Sequence, residues 1–185
     1  MSKLQDKGLE DFTGIIGMDV KRTHHAIRSE DHAKKLTNVL LNYSKRNCKV
    51  GYCQGLNMLV SYLLYKGLSE EESFWMLCHL IEEVLPREYY TTMISLTADI
   101  NIILLFLRTN KPKVYKHIRS ISFELPMVLV ELFITVFSTN PTSITDIIFD
   151  MVMIEGSLTY FKAILVFFNY FEKEIMQKTE FSRLG

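Results

Sequence analysis

Residues 50–58 read VGYCQGLNM, and the apolar run MLVSYLLY at residues 58–65 follows at once. Two glycines bracket Tyr-Cys-Gln, which predicts a turn immediately before a mostly apolar helix that Gly67 ends. The turn carries a glutamine, Gln54, which is neutral and a poor general base. Its amide can both donate and accept hydrogen bonds, a property that suits the orientation of a water molecule. An ordinary exposed glutamine at a helix start is the simpler alternative.

Helical periodicity dominates the rest of the chain. Residues 29–47 place Ala33, Leu36, Val39, Leu40 and Tyr43 on one face, and lysines and asparagines opposite. Ser69 and Glu72 form a capping-box pattern at the start of a helix that Pro86 ends and that is expected to bury Trp75. Further helices are predicted over residues 96–109, 112–120, 125–137, 143–154 and 157–177. The sequence therefore predicts an all-α fold with a single multi-helix domain.

Composition limits the classes of function. The 21 basic and 21 acidic residues of this 185-residue chain cancel, so no global field favours nucleic acid or a membrane surface. Residues 1–50 carry ten Lys or Arg against six Asp or Glu, and residues 51–100 carry two against seven. This asymmetry favours a polar protein partner. The polar start MSKLQDKGLED and the odd number of cysteines, three, indicate reduced thiols in the cytoplasm. The apolar stretches are interrupted by charges, which predicts no transmembrane segment.

Cysteine and histidine residues suggest no defined chemistry. Cys48 and Cys53 are five residues apart, and four of the five histidines are scattered, so a metal site is poorly supported. A Cys–His hydrolase stays open, since its partners need only meet in space. Small buried thiols are the simpler interpretation. No phosphate-binding glycine loop is present, so the chain is not expected to bind a nucleotide by itself. These four histidines are His24, His25, His32 and His79, and the fifth is His117.

The segment IGMDVKRTHH at residues 16–25 holds a second candidate site. Asp19 and Arg22 are three residues apart, one helical turn, and can pair on one face. The pair is either an ordinary surface ion pair or a device that holds an arginine in a fixed pose for a phosphate contact. Spacing alone leaves both alternatives open.

Taken together, the two segments resemble the TBC domain, the Rab GTPase-activating fold. IGMDVKRT resembles the family's IxxDxxR motif, and NYSKRNCKVGYCQGLNM resembles its YxQ motif. LFITVF and FDMVMIEG are similar to later family segments, with Phe149 in place of a tryptophan. The resemblance covers about residues 15–175 and implies one TBC domain over residues 1–185. The family usually has further helices on both sides, so a domain truncated at both ends is expected.

The resemblance implies a GTPase activator rather than an enzyme with a complete active site. Arg22 would be an arginine finger and Gln54 a glutamine finger for a Rab-family GTPase in its GTP-bound state. GTP and Mg²⁺ would belong to the partner, with no metal or cofactor of the chain's own and no nucleic acid. The partner would bring the cytoplasmic chain to endomembrane surfaces in vesicle trafficking. The alternative is a catalytically weak Rab-binding or scaffold module. Supporting residues implied by the resemblance are Asp19, Tyr52, Gly51, Gly55, Asn57 and Asp150.

Overall fold

The structure, a computed structural model, describes the backbone of residues 2–23 and 29–179 and the side chains from residue 12 onward within these ranges. His24 and His25 lie outside the described residues. Ten α-helices and no strand occur in these ranges, which confirms the all-α prediction. The helices are α1 Ser2–Arg22, α2 Glu30–Arg46, α3 Leu56–Tyr65, α4 Glu70–His79, α5 Ile94–Asn110, α6 Pro112–Ser120, α7 Leu125–Ile134, α8 Ser143–Glu155, α9 Leu158–Tyr170 and α10 Glu172–Gln177.

Helix α2 is the centre of the N-terminal half and packs against α1, α3 and α4. It begins at Ser29, whose hydroxyl accepts a hydrogen bond from the backbone N–H of His32. Its predicted apolar face is confirmed, because Leu36, Val39, Leu40 and Tyr43 are all buried there, with Ala33 half-buried at the rim. Burial of this stripe places the end of α1 and the start of α3 on neighbouring sides of α2.

Helix α4 carries the predicted capping box, in which Ser69 and Glu72 satisfy each other's backbone N–H groups. The prediction that Trp75 is buried is wrong, because 52% of the residue is exposed. The buried positions of this helix are Ser73, Leu77 and Cys78. Trp75 is two residues from both Ser73 and Leu77 and so lies on the opposite side of the helix from them. The Arg46 guanidinium lies 5.3 Å from the Trp75 ring centroid and covers part of the indole.

The C-terminal half is built from α5 to α10. Pro112 occupies the first turn of α6 as predicted, where its missing N–H costs no helical hydrogen bond. Buried aromatic rings hold this half together, as in the pair Phe133 and Tyr160, whose centroids are 4.5 Å apart. Phe149, from the FDMVMIEG segment, is buried and packs on Tyr62 at 5.6 Å between ring centroids.

Candidate functional site

The VGYCQGLNM stretch spans the end of the loop between α2 and α3 and the first turn of α3, and its two glycines have backbone conformations that other residues rarely adopt. Gly51 has φ +59° and Gly55 has φ +108°. A Cβ on Gly51 would lie 2.3 Å from Cζ of Phe12, and a Cβ on Gly55 would lie 2.7 Å from Cγ2 of Ile134. Both glycines therefore let the loop pack closely on its own domain, against α1 and α7.

Tyr52 joins this loop to the last turn of α1. Its hydroxyl donates to Oδ2 of Asp19 at 2.8 Å and lies 3.3 Å from Oδ1 of Asn57. Since a phenol has one proton, the shorter contact with the charged carboxylate is favoured. Burial, reinforced by this hydrogen bond, raises the pKa of Tyr52 well above its ordinary value. The phenol stays protonated and remains a donor at physiological pH.

Asp19 faces the predicted arginine with its other oxygen. Oδ1 of Asp19 lies 3.6 Å from Nη1 of Arg22, so the predicted pair is present. The two partners differ in exposure: the Asp19 side chain is 8% exposed and the Arg22 side chain 71%. The pair is thus not of the ordinary exposed kind, because its carboxylate is buried and fixed by Tyr52. The 3.6 Å separation is longer than a hydrogen bond, so Asp19 does not occupy the N–H donors of the guanidinium.

Asn57 and Thr23 complete the connection between the two segments. Nδ2 of Asn57 donates to Oγ1 of Thr23 at 2.9 Å, and Oδ1 of Asn57 accepts from the N–H of Gly55 at 3.0 Å. The Thr23 hydroxyl in turn donates to the backbone carbonyl of Asp19 at 2.7 Å. All of these polar groups are buried or half-buried, and a buried network of satisfied groups fixes a single geometry.

Sequence reasoning missed Thr23, which is 1% exposed. Its position directly after Arg22 was the available signal, since a hydroxyl at a helix end often bonds the carbonyl one turn back. Asn57 was predicted as a supporting residue, and the structure places it in contact with both segments.

The two residues predicted as fingers are at the surface of this connected region. Gln54 is exposed in the turn between the two glycines, with no hydrogen bond from its side chain in the described part of the chain. Arg22 is at the C-terminal end of α1. The network of Asp19, Tyr52, Asn57 and Thr23 therefore links the backbone segments that carry these two exposed side chains.

Asp150, another predicted supporting residue, is placed elsewhere. It is exposed on α8, one turn after Asp146, and makes no hydrogen bond or salt bridge within the described residues. Asp146, rather than Asp150, accepts from the Tyr62 hydroxyl at 2.6 Å and pairs with Lys66 at 2.8 Å. The structure does not bring Asp150 into the network of Asp19 and Tyr52.

The cysteines form no reactive centre in the structure. Cys53 and Cys78 are buried and Cys48 is exposed, all as free thiols. Burial raises the pKa of the Cys53 thiol, which disfavours the thiolate that a nucleophile requires. Over the ranges that the structure describes, no group of three or more His, Cys, Asp or Glu residues could hold a metal ion. No helix in the same ranges is long and apolar enough to cross a membrane.

Comparison with known proteins identifies the family. The model of the Rab-GTPase-TBC domain matches residues 1–176, so the chain belongs to the Rab-GTPase-TBC domain family. TBC1 domain family member 2B of Homo sapiens is 34% identical over 172 residues, which are 88% of this chain and 17% of that protein. A TBC domain-containing protein of Schizosaccharomyces pombe is 33% identical over 144 residues, 77% of this chain and 19% of that protein. The chain thus spans less than a fifth of these relatives' length.

The fold is similar to that of a solved TBC domain. The crystal structure of the Chlamydomonas flagellar RabGAP TBC domain superposes with a TM-score of 0.76 at 23% sequence identity. The match covers 97% of this chain and 64% of that one. At this identity the comparison establishes the all-α TBC architecture.

Proposed function

We propose that this chain accelerates GTP hydrolysis by a Rab-type GTPase and supplies Arg22 and Gln54 in trans. The observation that carries the proposal is the buried network through which Tyr52 and Asn57 hold the glutamine-bearing turn against the end of α1. Such a network fixes the backbone on which both side chains stand. It leaves their polar groups exposed for a partner.

The chemistry of GTP hydrolysis suits these two groups. Water attacks the γ-phosphorus, the bond to the β–γ bridging oxygen breaks, and GDP and inorganic phosphate leave. Charge accumulates on the oxygens around the transferred group, and the planar guanidinium of Arg22 is suited to stabilise it. A trans-acting arginine contributes about 10³–10⁵ in rate, or roughly 4–7 kcal/mol.

Gln54 would orient the attacking water. Its amide oxygen can accept a hydrogen bond from that water while its NH₂ group donates one to an oxygen of the nucleotide or of the partner. This positioning lowers the entropy cost of aligning the attacking water with the γ-phosphorus. GTP and Mg²⁺ are proposed to be held by the partner, and the chain's own residues then need supply only positioning and charge.

Asp19 would set the pose of Arg22 without saturating it. One carboxylate oxygen is engaged by Tyr52 at 2.8 Å, and the other lies 3.6 Å from the guanidinium. A shorter, two-point ion pair would hold the arginine back from a phosphate, because its donors would already be satisfied. The observed separation fits an arginine that is directed outward and free to bind.

The test is single-turnover GTP hydrolysis on a panel of GTP-loaded Rab GTPases with the chain in excess. At least one Rab is expected to hydrolyse faster by about 10³-fold or more with the wild-type chain. A Rab that binds the chain with unchanged hydrolysis would instead establish the binding-module alternative. Failure of every Rab to bind or respond would reject both.

A further inference from the structure

A strongly basic pocket lies where α5 ends and α6 begins. It has a volume of about 410 Å³ and opens to solvent. No residue of the Asp19–Tyr52 network contributes to it. The lining residues are Arg108, Pro112, Tyr115, Lys116 and Arg119.

The sequence explains the positive charge of this part of the chain. Residues 108–120 read RTNKPKVYKHIRS and contain five Lys or Arg and no Asp or Glu. In α6, the four lining residues Pro112, Tyr115, Lys116 and Arg119 follow the i, i+3, i+4, i+7 spacing of a single helix face. The buried residues Val114 and Ile118 anchor the other face of the helix in the core.

The three cations of the pocket have no ion-pair partner in the part of the chain whose side chains are described. None of the side chains of Arg108, Lys116 and Arg119 makes a hydrogen bond or salt bridge within residues 12–23 and 29–179. The neighbouring Lys111 differs, because it pairs with Glu172 at 2.5 Å. Cations in the last turn of a helix interact favourably with the helix dipole, and Arg108 and Arg119 are at such positions. Lys116 is in the middle of α6, so the dipole does not explain a cation there. Three positive charges that line one pocket, without an ion-pair partner among the described side chains, favour a multiply charged anion there.

Exposed apolar side chains continue from this pocket along α5. Ile102 is 54% exposed and Leu105 is 62% exposed, and they precede Arg108 at steps of three residues. Residues at this spacing lie along one side of a helix. Binding of a soluble phosphate compound would not require exposed aliphatic side chains beside the site. Binding to an anionic bilayer would use them, because the headgroup contacts the cations while the aliphatic side chains enter the membrane interface.

We propose that this pocket binds the phosphorylated headgroup of an anionic lipid, with Ile102 and Leu105 entering the interfacial layer of the membrane. Arg108, Lys116 and Arg119 bind the phosphate oxygens, and the Tyr115 hydroxyl is available as a further donor. This contact is separate from any recruitment through a GTPase and does not depend on the proposed acceleration of hydrolysis.

The test is co-sedimentation with vesicles of phosphatidylcholine that contain phosphatidylinositol bisphosphate. Lys116→Glu is expected to weaken binding about tenfold or more, since each basic residue near an anionic surface contributes appreciably. Lys113→Glu is the matched control, because Lys113 is exposed on the same helix but does not line the pocket. The Lys113→Glu variant is expected to lose less than about threefold in vesicle binding. If both variants lose vesicle binding equally, the effect arises from general surface charge and the proposal is wrong.

Further arms separate the lipid from other phosphate sources. Leu105→Ser is expected to weaken vesicle binding while leaving affinity for soluble inositol trisphosphate, measured by calorimetry, unchanged. Equal affinity for inositol trisphosphate and for vesicles, with no effect of Leu105→Ser, would reject the membrane assignment. Binding of a phosphopeptide but not of vesicles would also reject it, as would binding of none of these probes. Unchanged melting temperatures exclude misfolding, and an unchanged hydrolysis assay in solution keeps this test distinct from that of the proposed function.

Discussion

The Tyr52 hydroxyl donates a hydrogen bond to Oδ2 of Asp19 at 2.8 Å and so connects two residues that are 33 positions apart in the sequence. The acceptor is 6% exposed, and its second oxygen faces the exposed Arg22. A buried carboxylate is stable only when it is hydrogen-bonded or paired, and this one is both. The same side chain therefore contacts both the loop that carries Tyr52 and the arginine.

Replacement of Arg22 tests the arginine finger. Arg22→Ala is expected to lower stimulated hydrolysis by about 10³-fold with little change in melting temperature, because the side chain is exposed. Arg22→Lys is expected to fail nearly as badly, since an ammonium cannot reproduce the planar fork. Lys21→Ala, at the exposed neighbouring position, is the control and should behave as wild type. Wild-type kcat/KM in a folded Arg22→Ala chain would show that the assignment is wrong.

The link between the two segments is tested by Tyr52→Phe and Asp19→Asn. Tyr52→Phe removes the donor to Asp19 and is expected to reduce the free energy of unfolding by about 1–3 kcal/mol, because it leaves a buried carboxylate less satisfied. Asp19→Asn is expected to lower kcat less than Arg22→Ala does, since it shifts the arginine without removing it. The measurements are urea unfolding and single-turnover hydrolysis. Wild-type kcat in both folded variants would exclude a positioning role.

Gly55 and Gly67 form a matched pair for backbone strain and steric clash. Both have positive φ, +108° and +94°, but only a Cβ on Gly55 meets another side chain, Cγ2 of Ile134 at 2.7 Å. Gly67→Ala is expected to cost about 1 kcal/mol from strain alone. Gly55→Ala should cost about 1–3 kcal/mol more, because the loop must move away from α7.

A double-mutant cycle separates the two contributions at Gly55. In an Ile134→Ala background the clashing methyl is absent, so Gly55→Ala should approach the cost of Gly67→Ala. An equal cost of Gly55→Ala in both backgrounds would show that the contact with Ile134 does not limit the loop.

Cysteine reactivity tests the hydrolase alternative. In the native chain, iodoacetamide is expected to modify Cys48 and to spare Cys53 and Cys78, which are buried and whose thiol pKa values burial raises. All three should react after denaturation, as counted by mass spectrometry. Cys53→Ser is expected to retain most of the stimulated hydrolysis. A folded Cys53→Ser chain without activity would instead support a role for the thiol.

The glutamine finger is tested by substitution on both partners. If Gln54 orients the water, a responsive Rab whose own catalytic glutamine is replaced by alanine or leucine should still be stimulated. Gln54→Ala should abolish stimulation of both the wild-type and the substituted Rab. The effect on kcat is expected to exceed that on KM, because the water contact matters mainly in the transition state.

Four single-turnover measurements test the role of Gln54: the wild-type and Gln54→Ala chains, each with the wild-type and the substituted Rab. Stimulation that survives Gln54→Ala and disappears with the Rab substitution would show that Gln54 is an ordinary turn residue. Asn42→Ala, at an exposed amide on α2, is a suitable control for the loss of a surface amide.

Periodicity and local chemistry made the helical architecture predictable from the sequence. The apolar stripe of α2, the capping box of Ser69 and Glu72, and Pro112 at the start of α6 each depend on residues within one or two turns of each other. Such local interactions are encoded in short windows. The pairing of Asp19 with Arg22 was predictable for the same reason, because both residues are on one helix.

Tertiary structure alone decided the interactions that join distant segments. Asp19 contacts Tyr52, and Thr23 contacts Asn57, because α1 and α3 both pack against α2. No spacing rule in the sequence relates residues that are more than thirty positions apart. The exposure of Trp75 was likewise decided by which side of α4 faces the core. Sequence determined which side chains could form hydrogen bonds, and packing determined which of them meet, since direction and distance are set only when the helices assemble.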